Sequence, residues 1–314
     1  MRAGQVAAMA TAAAVGVWLG RRYQRHKRAA ENRLRAGSQI IETTCGPVEY
    51  AAVGEGSPLL FAHGALGGYD QSLLLARLIH GFTVIAPSRP GHLRTPLSTG
   101  RSPARQADAY AALLDALHIS RVAIIGGSGG GPSALRFAAQ YPDRCWALVL
   151  VSAICLAPPA STLRRYWFWA ALSPFDFGMW LFTHLAFDAL LASDGITLDM
   201  RRRLERDTET MDILRGLLQN HPTSGRTAGL VNDLLQTRTV LPLEGLERIS
   251  APTLVIHGRR DPIVPFENGE HIARTVPGAA LLAVEGGGHT CIATHRATTI
   301  PTLEEFLRQH APNS

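Results

Sequence analysis

The sequence predicts an α/β protein, a mostly parallel sheet flanked by helices with a helical cap inserted into it. Three observations carry that expectation. From Ser38 onward, short runs rich in valine, isoleucine and leucine alternate with helical stretches, as in βα units whose strands are buried on both faces. Residues 156–245 then break the alternation with a helix-rich stretch that offers no strand. One strand also leads directly into Gly126-Gly127-Ser128-Gly129-Gly130, a turn with no room for bulky side chains, just before a helix.

The elements follow in order. Residues 39–44 and 48–53 read as two opening strands separated by Gly46 and Pro47. Residues 58–62, 82–86, 121–125 and 145–151 read as buried strands, with helical patterns near 70–80, 103–117 and 130–141 between them. After the insertion come a strand at 252–257, a helix at 267–275, a strand at 279–284 and a helix at 302–310. About 90 helical residues interrupting a sheet are an insertion rather than a structureless loop. The expected organisation is therefore a core of residues 38–155 and 246–314 around a cap of residues 156–245. With 46% hydrophobic residues in 314, the chain can fill one large core.

The formal charge of +6 is local. Residues 1–37 carry Arg2, Arg21, Arg22, Arg25, Lys27, Arg28, Arg33 and Arg35 against Glu31 alone, which leaves the body close to neutral. Such a body carries no electrostatic footprint for nucleic acid. Residues 3–20 are uncharged, and as a helix they would reach ~27 Å, close to the ~30 Å hydrocarbon core of a bilayer. With the basic cluster behind them, they predict a single transmembrane helix anchoring a body that lies in the cytoplasm by the positive-inside rule. A signal peptide fits less well, since only Arg2 precedes the apolar run. A soluble cytoplasmic protein with a surface-lying extension is the remaining alternative.

Cysteines 45, 145, 155 and 291 form no C-x-x-C and no metal-ligand spacing with a histidine, so they read as reduced and mostly buried. Lys27 is the only lysine, which removes P-loop and Schiff-base chemistry from the body. No metal or organic cofactor is expected.

Ser128, with glycine two residues before and two after it, has the setting of a nucleophile raised on a strand-to-helix turn. The competing reading, a phosphate loop, fails. Pro132 occupies the third glycine position of the dinucleotide pattern, and a P-loop lacks its lysine. Gly129 offers an N–H at the helix start, and the His63-Gly64-Ala65-Leu66-Gly67-Gly68 loop after strand 58–62 offers a second, from Ala65, toward an oxyanion. A serine nucleophile needs a base and an acid to orient it. His289 follows strand 279–284 and Asp261 follows strand 252–257, both at the same sheet edge as Ser128. No acid lies between Asp143 and Asp176, which leaves none after strand 145–151. His63, His92, His257 and His295 read as structural or surface residues.

HGALGG, SRPGH (88–92), GGSGGG, HGRRDPIVP and GGGH, in this order between strands, resemble the α/β-hydrolase superfamily over residues 38–314. The resemblance implies that fold and a Ser-Asp-His triad, with a serine rather than the aspartate of the dehalogenase and epoxide-hydrolase branches. Position 127 is glycine where many relatives carry a larger side chain. In similar hydrolases the insertion roofs the site. Residues 166–187 hold nine of the 21 aromatic residues, so Trp167, Trp169, Phe175, Phe177 and Trp180, with Met179, are expected to wall an apolar acyl pocket. The expected reaction is hydrolysis of a carboxylic ester, or a related acyl bond, of a small apolar substrate. The rival expectation is a ligand receptor or signalling protein on the same fold with little turnover.

Overall fold

The computed structural model describes residues 3–239 and 243–312, and within them eight strands form one sheet. Arg2, residues 240–242 of the expected cap and the last two residues of the expected core lie outside the described residues. The strands are β1 (Gln39–Thr43), β2 (Gly46–Val53), β3 (Ser57–Ala62), β4 (Phe82–Pro87), β5 (Val122–Gly127), β6 (Cys145–Val151), β7 (Thr253–Gly258) and β8 (Ala280–Val284). They lie in the order β1-β2-β4-β3-β5-β6-β7-β8, antiparallel in the two pairs involving β2 and parallel elsewhere. Leu60 of β3 faces Ile85 of β4 and Ile124 of β5 in register. These strands match the expected ones to within two residues at each end.

Alternation along each strand builds two cores from one sheet. Leu60, Ile85, Ile124, Leu148 and Val255 point to one face, against α3 (Pro103–Ala116), α4 (Gly131–Gln140) and α11 (Glu267–Thr275). Leu59, Phe61, Val84, Ile125 and Ile256 point to the other, with Leu303 and Leu307 of α13 (Arg296–His310) and Ala76 of α2 (Tyr69–Ala76). Local signals set the helix ends. Ser102 caps α3 by accepting a bond from the Arg105 N–H at 3.2 Å, with Pro103 as first helical residue. Helix α13 begins before the expected residue 302 and carries Pro301 inside it; the short α12 (Cys291–Thr294) precedes it.

Between β6 and β7 lie α5 (Ala160–Leu172), α6 (Asp176–Leu185), α7 (Phe187–Ser193), α8 (Leu198–Leu204), α9 (Thr208–Leu218) and α10 (Thr227–Thr239), with no strand among the described residues. Two ion pairs with buried arginines tie this helical insertion to the sheet domain in opposite senses. Arg226, ahead of α10, grips Asp70 of α2 through both guanidinium nitrogens at 3.0 and 2.8 Å. Arg89, after β4, grips Asp233 of α10 at 3.0 and 2.6 Å.

The expected transmembrane anchor is corrected. Residues 3–20 form the first half of a 34-residue helix, α1 (Ala3–Ala36), yet no helix among the described residues is long and apolar enough to cross a membrane. Seven alanines and three glycines supply length with only weak hydropathy. The inside–outside assignment that rested on the anchor falls with it. The basic residues have other uses. Lys27 pairs with Asp176 of α6 at 2.9 Å, Arg22 lies over the Trp18 ring, and His26 packs near Trp180, His184 and His221. Tyr23 and Ala30 are buried, while Trp18 remains 53% exposed.

Removing the acid that pairs with a buried arginine leaves an uncompensated charge. Asp70→Ala, which strands the fully buried Arg226, should therefore cost about 3 kcal/mol in urea unfolding. Arg105→Ala, which breaks the exposed pair with Asp108, should cost less than ~0.5 kcal/mol.

Candidate active site

Ser128 stands immediately after β5 with φ of 47°, in the left-handed region that L residues avoid. The turn fits there because Gly130, two residues on, has no Cβ. At Gly130 a Cβ would meet the Ala62 carbonyl oxygen at 2.3 Å, so the turn lies directly on the end of β3. At Gly127 an added Cβ would meet nothing nearer than Phe61 at 3.6 Å.

His289 Nε2 lies 3.1 Å from Ser128 Oγ, and His289 Nδ1 lies 2.8 Å from Asp261 Oδ2. The three residues thus form one hydrogen-bonded line from the ends of β5, β8 and β7. Asp261 Oδ1 accepts the N–H groups of Ile263 at 2.8 Å and Val264 at 2.9 Å. His257 stands behind it, with Nε2 3.5 Å from Oδ2. Burial alone would raise the Asp261 carboxyl. The charge of His289 and hydrogen bonds from His257, His289 and the Val264 N–H outweigh it and hold the group well below the usual carboxylate range. Burial alone would lower the His289 imidazole. The charge and hydrogen bond of Asp261, with Asp194 adding to them, raise it above the ordinary histidine value.

The His289 main chain is held from both sides. Its N–H donates to the Asp194 carbonyl at 2.9 Å, and its carbonyl accepts from Ser152 Oγ at 2.9 Å. Ala65 and Gly129 are adjacent, since a Cβ on Gly129 would stand 3.3 Å from the Ala65 nitrogen. The Ala65 loop is fixed by side chains. Gly64 N–H donates to Gln71 Oε1 at 2.8 Å, and buried Arg89 donates Nε to the His63 carbonyl at 2.8 Å. His63 accepts the Arg89 N–H at Nε2, 2.8 Å away, and is buried with its pKa well below the ordinary value, chiefly through desolvation. The structural reading of His63 fits these contacts.

Ser128 and His289 open onto a cavity of ≈ 310 Å³. Trp169 and Met179 line it. Trp167, Phe175, Phe177 and Trp180 do not. Trp167 packs with α10 and under Arg238, and Trp180 and Phe177 pack on Tyr23 of α1. Phe175 is 66% exposed. The aromatic density expected to wall the pocket thus faces largely outward or toward α1. Aliphatic residues from both parts of the chain take its place, among them Leu66, Leu75, Leu190, Leu217 and Leu218. Leucines at helical spacing give no sequence signal that separates a cavity wall from a core. Arg165 and Asp194 also line the cavity and were not singled out from the sequence, where they stand in no recognisable motif. Among the described residues no group of three or more histidine, cysteine or carboxylate side chains could hold a metal ion. All four cysteines are free, and burial pushes the thiols of Cys145, Cys155 and Cys291 up to about 12.

A sequence profile described as the alpha/beta hydrolase fold matches residues 57–295. An uncharacterized hydrolase of Bacillus subtilis is 30% identical over 258 residues, covering 78% of this chain and 88% of the relative. The pimeloyl-[acyl-carrier protein] methyl ester esterase of Chromobacterium violaceum is 29% identical over 262 residues, covering 82% and 97%. Among solved structures, an alpha/beta hydrolase fold protein from Nakamurella multipartita superposes with a TM-score of 0.70 at 33% identity, covering 86% of this chain and 99% of its own.

The clearances at the turn separate two glycines that look alike in sequence. Gly130→Ala should lower unfolding stability by about 2–3 kcal/mol, because its Cβ meets backbone that cannot yield. Gly127→Ala should stay within ~1 kcal/mol of the natural protein in the same denaturant titration.

Proposed function

This chain belongs to the α/β-hydrolase family, and from that premise we propose that it is a serine hydrolase cleaving carboxylic esters of apolar acyl groups through an acyl-enzyme. The observation that carries the reading is the 3.1 Å and 2.8 Å line from Ser128 through His289 to Asp261, opening onto a largely aliphatic cavity. Ser128 Oγ attacks the ester carbonyl while His289 Nε2 takes its proton. Asp261, ionised and held by two N–H groups, stabilises the imidazolium that forms. The N–H groups of Ala65 and Gly129 receive the oxyanion. His289 then gives the proton to the leaving alcohol, and water repeats the sequence on the acyl-enzyme to release the acid.

Residues 156–245 serve as a cap. Their contribution to the cavity comes from α5, α6, α7 and α9, which supply Trp169, Met179, Leu190, Leu217 and Leu218 opposite Leu66 and Leu75 of the core. An aliphatic chain suits those walls. The esterase among the relatives acts on a methyl ester of an acyl group, and that supports the acyl reading for this site.

Three measurements test the proposal. Ser128→Ala should abolish fluorophosphonate labelling and ester turnover, with His289→Ala losing ~10³-fold or more and Asp261→Asn somewhat less. Wild-type-like turnover in Ser128→Ala overturns the mechanism. The base must be neutral to act, and Asp261 holds a proton on it. The acid limb of kcat/KM should therefore lie above ~6.5, with activity rising as pH increases through that limb. Across p-nitrophenyl esters from C2 to C12, kcat/KM should rise by up to ~4-fold per methylene until the cavity is full. Trp169→Ala should shift that profile, whereas Trp180→Ala should lower stability and leave the profile unchanged. A profile peaked at C2 counts against an apolar acyl substrate.

A further inference from the structure

A second acidic residue reaches the main chain of the histidine from the insertion. Asp194 follows α7, 98% buried, and lines the cavity beside Ser128 and His289. Its main-chain carbonyl accepts the His289 N–H at 2.9 Å. Its Oδ2 accepts the Thr290 N–H at 3.3 Å and, more closely, the Thr290 hydroxyl. The approach needs Gly288 as it is, because a Cβ there would stand 2.2 Å from the Asp194 carbonyl oxygen. Among the described residues no lysine or arginine forms an ion pair with Asp194. A buried carboxylate without a cation is costly. An asparagine could accept the same bonds without that cost, so the charge itself calls for a role.

We propose that Asp194 is a positioning residue for His289, clasping the 288–290 loop from the insertion and placing a second negative charge where the imidazolium forms. The inference rests on His289 acting as the base. The groups that face this imidazole are Asp261 from the β7 end, Asp194 from the insertion and Arg165 from α5, which opposes them. His257 lies behind Asp261, and Cys291 and Tyr166 feel both carboxylates. Burial pushes the Asp194 carboxyl up to about 6, against the pull of His289 and of the Thr290 hydroxyl. Above that pH its charge favours the proton on His289. Two carboxylates therefore share the task of holding the imidazolium, one below it in the line to Ser128 and one arriving with the insertion.

The test compares wild type, Asp194→Asn, Thr290→Val and Thr290→Ser in the full chain, by pH profile of ester turnover and by melting temperature. Without the charge the imidazole is less basic and its imidazolium less stabilised. Asp194→Asn should then move the acid limb down by ~0.5–1 pH unit and lower plateau kcat and kcat/KM together by ~10-fold. Thr290→Val removes one donor to the carboxylate, which lets it take up its proton sooner. The limb should move the same way by less, and Thr290→Ser should restore it. An acid limb unmoved in Asp194→Asn, with activity lost only as melting temperature falls, would make Asp194 merely structural and overturn the inference. If Asp194→Asn does not fold, Thr290→Val decides by the same limb. Fluorophosphonate labelling that requires Ser128 and His289 upholds the base assignment whatever the limb does. Its absence in wild type overturns that assignment and this inference with it.

Discussion

The Arg89 guanidinium has no access to water, and its five N–H donors must all be met by protein. That requirement joins three parts of the molecule that the chain keeps far apart. The His63 and Gly64 carbonyls take two bonds and hold the Ala65 loop at the end of β3. Gln106 of α3 takes a third, and both oxygens of Asp233 bring α10 of the insertion down onto the sheet. The same residue donates its main-chain N–H to His63, which fixes that ring as an acceptor. Loop, sheet edge and insertion are therefore positioned by one buried charge, and Gly129 lies against it, 3.6 Å from the guanidinium when a Cβ is added.

Clearance is the second constraint. The turn carrying Ser128 rests on the β3 carbonyls because Gly130 has no side chain, and the turn carrying His289 accepts the insertion because Gly288 has none. In both places the backbone approaches to distances a methyl group would forbid. The strain this leaves in Ser128 is of the order of 1–3 kcal/mol, and packing on both sheet faces outweighs it. A serine so held keeps its hydroxyl at the mouth of the turn, where the sheet ends and the cavity begins.

Much of this was legible in the sequence, for reasons that differ by element. Buried parallel strands are continuous apolar runs, and their ends lie at one sheet edge whatever the details of packing. Ser128, Asp261 and His289 could therefore be placed at one edge from their positions just past the strands. The aromatic stretch at 166–187 was legible as a dense apolar segment, but composition does not say which way a helix face turns. Trp180 and Phe177 turn toward Tyr23 and leave the cavity to leucines. Residues 3–20 carried a length signal for a membrane and a weak hydropathy signal, and hydropathy decides. Asp194 and Arg165 make their contacts here with residues 95 or more positions away in sequence, and no local pattern announces such contacts.

Helix α1 has a practical side for anyone handling the protein. From the sequence, residues 1–37 look like an anchor and basic stretch set apart from the body that follows. In the folded chain the second half of that helix is the covering of the insertion. Tyr23 shields Phe177 and Trp180, Lys27 neutralises the Asp176 carboxylate that ties α6 to the turn at Thr223 and Ser224, and Leu34 receives the Tyr69 hydroxyl on its carbonyl. Trimming at Ser38 uncovers the buried Trp180 and leaves a buried acid without its cation. The shortened protein would be the stickier one, and a cut ahead of Arg21, leaving the docked half in place, is the boundary that respects the fold.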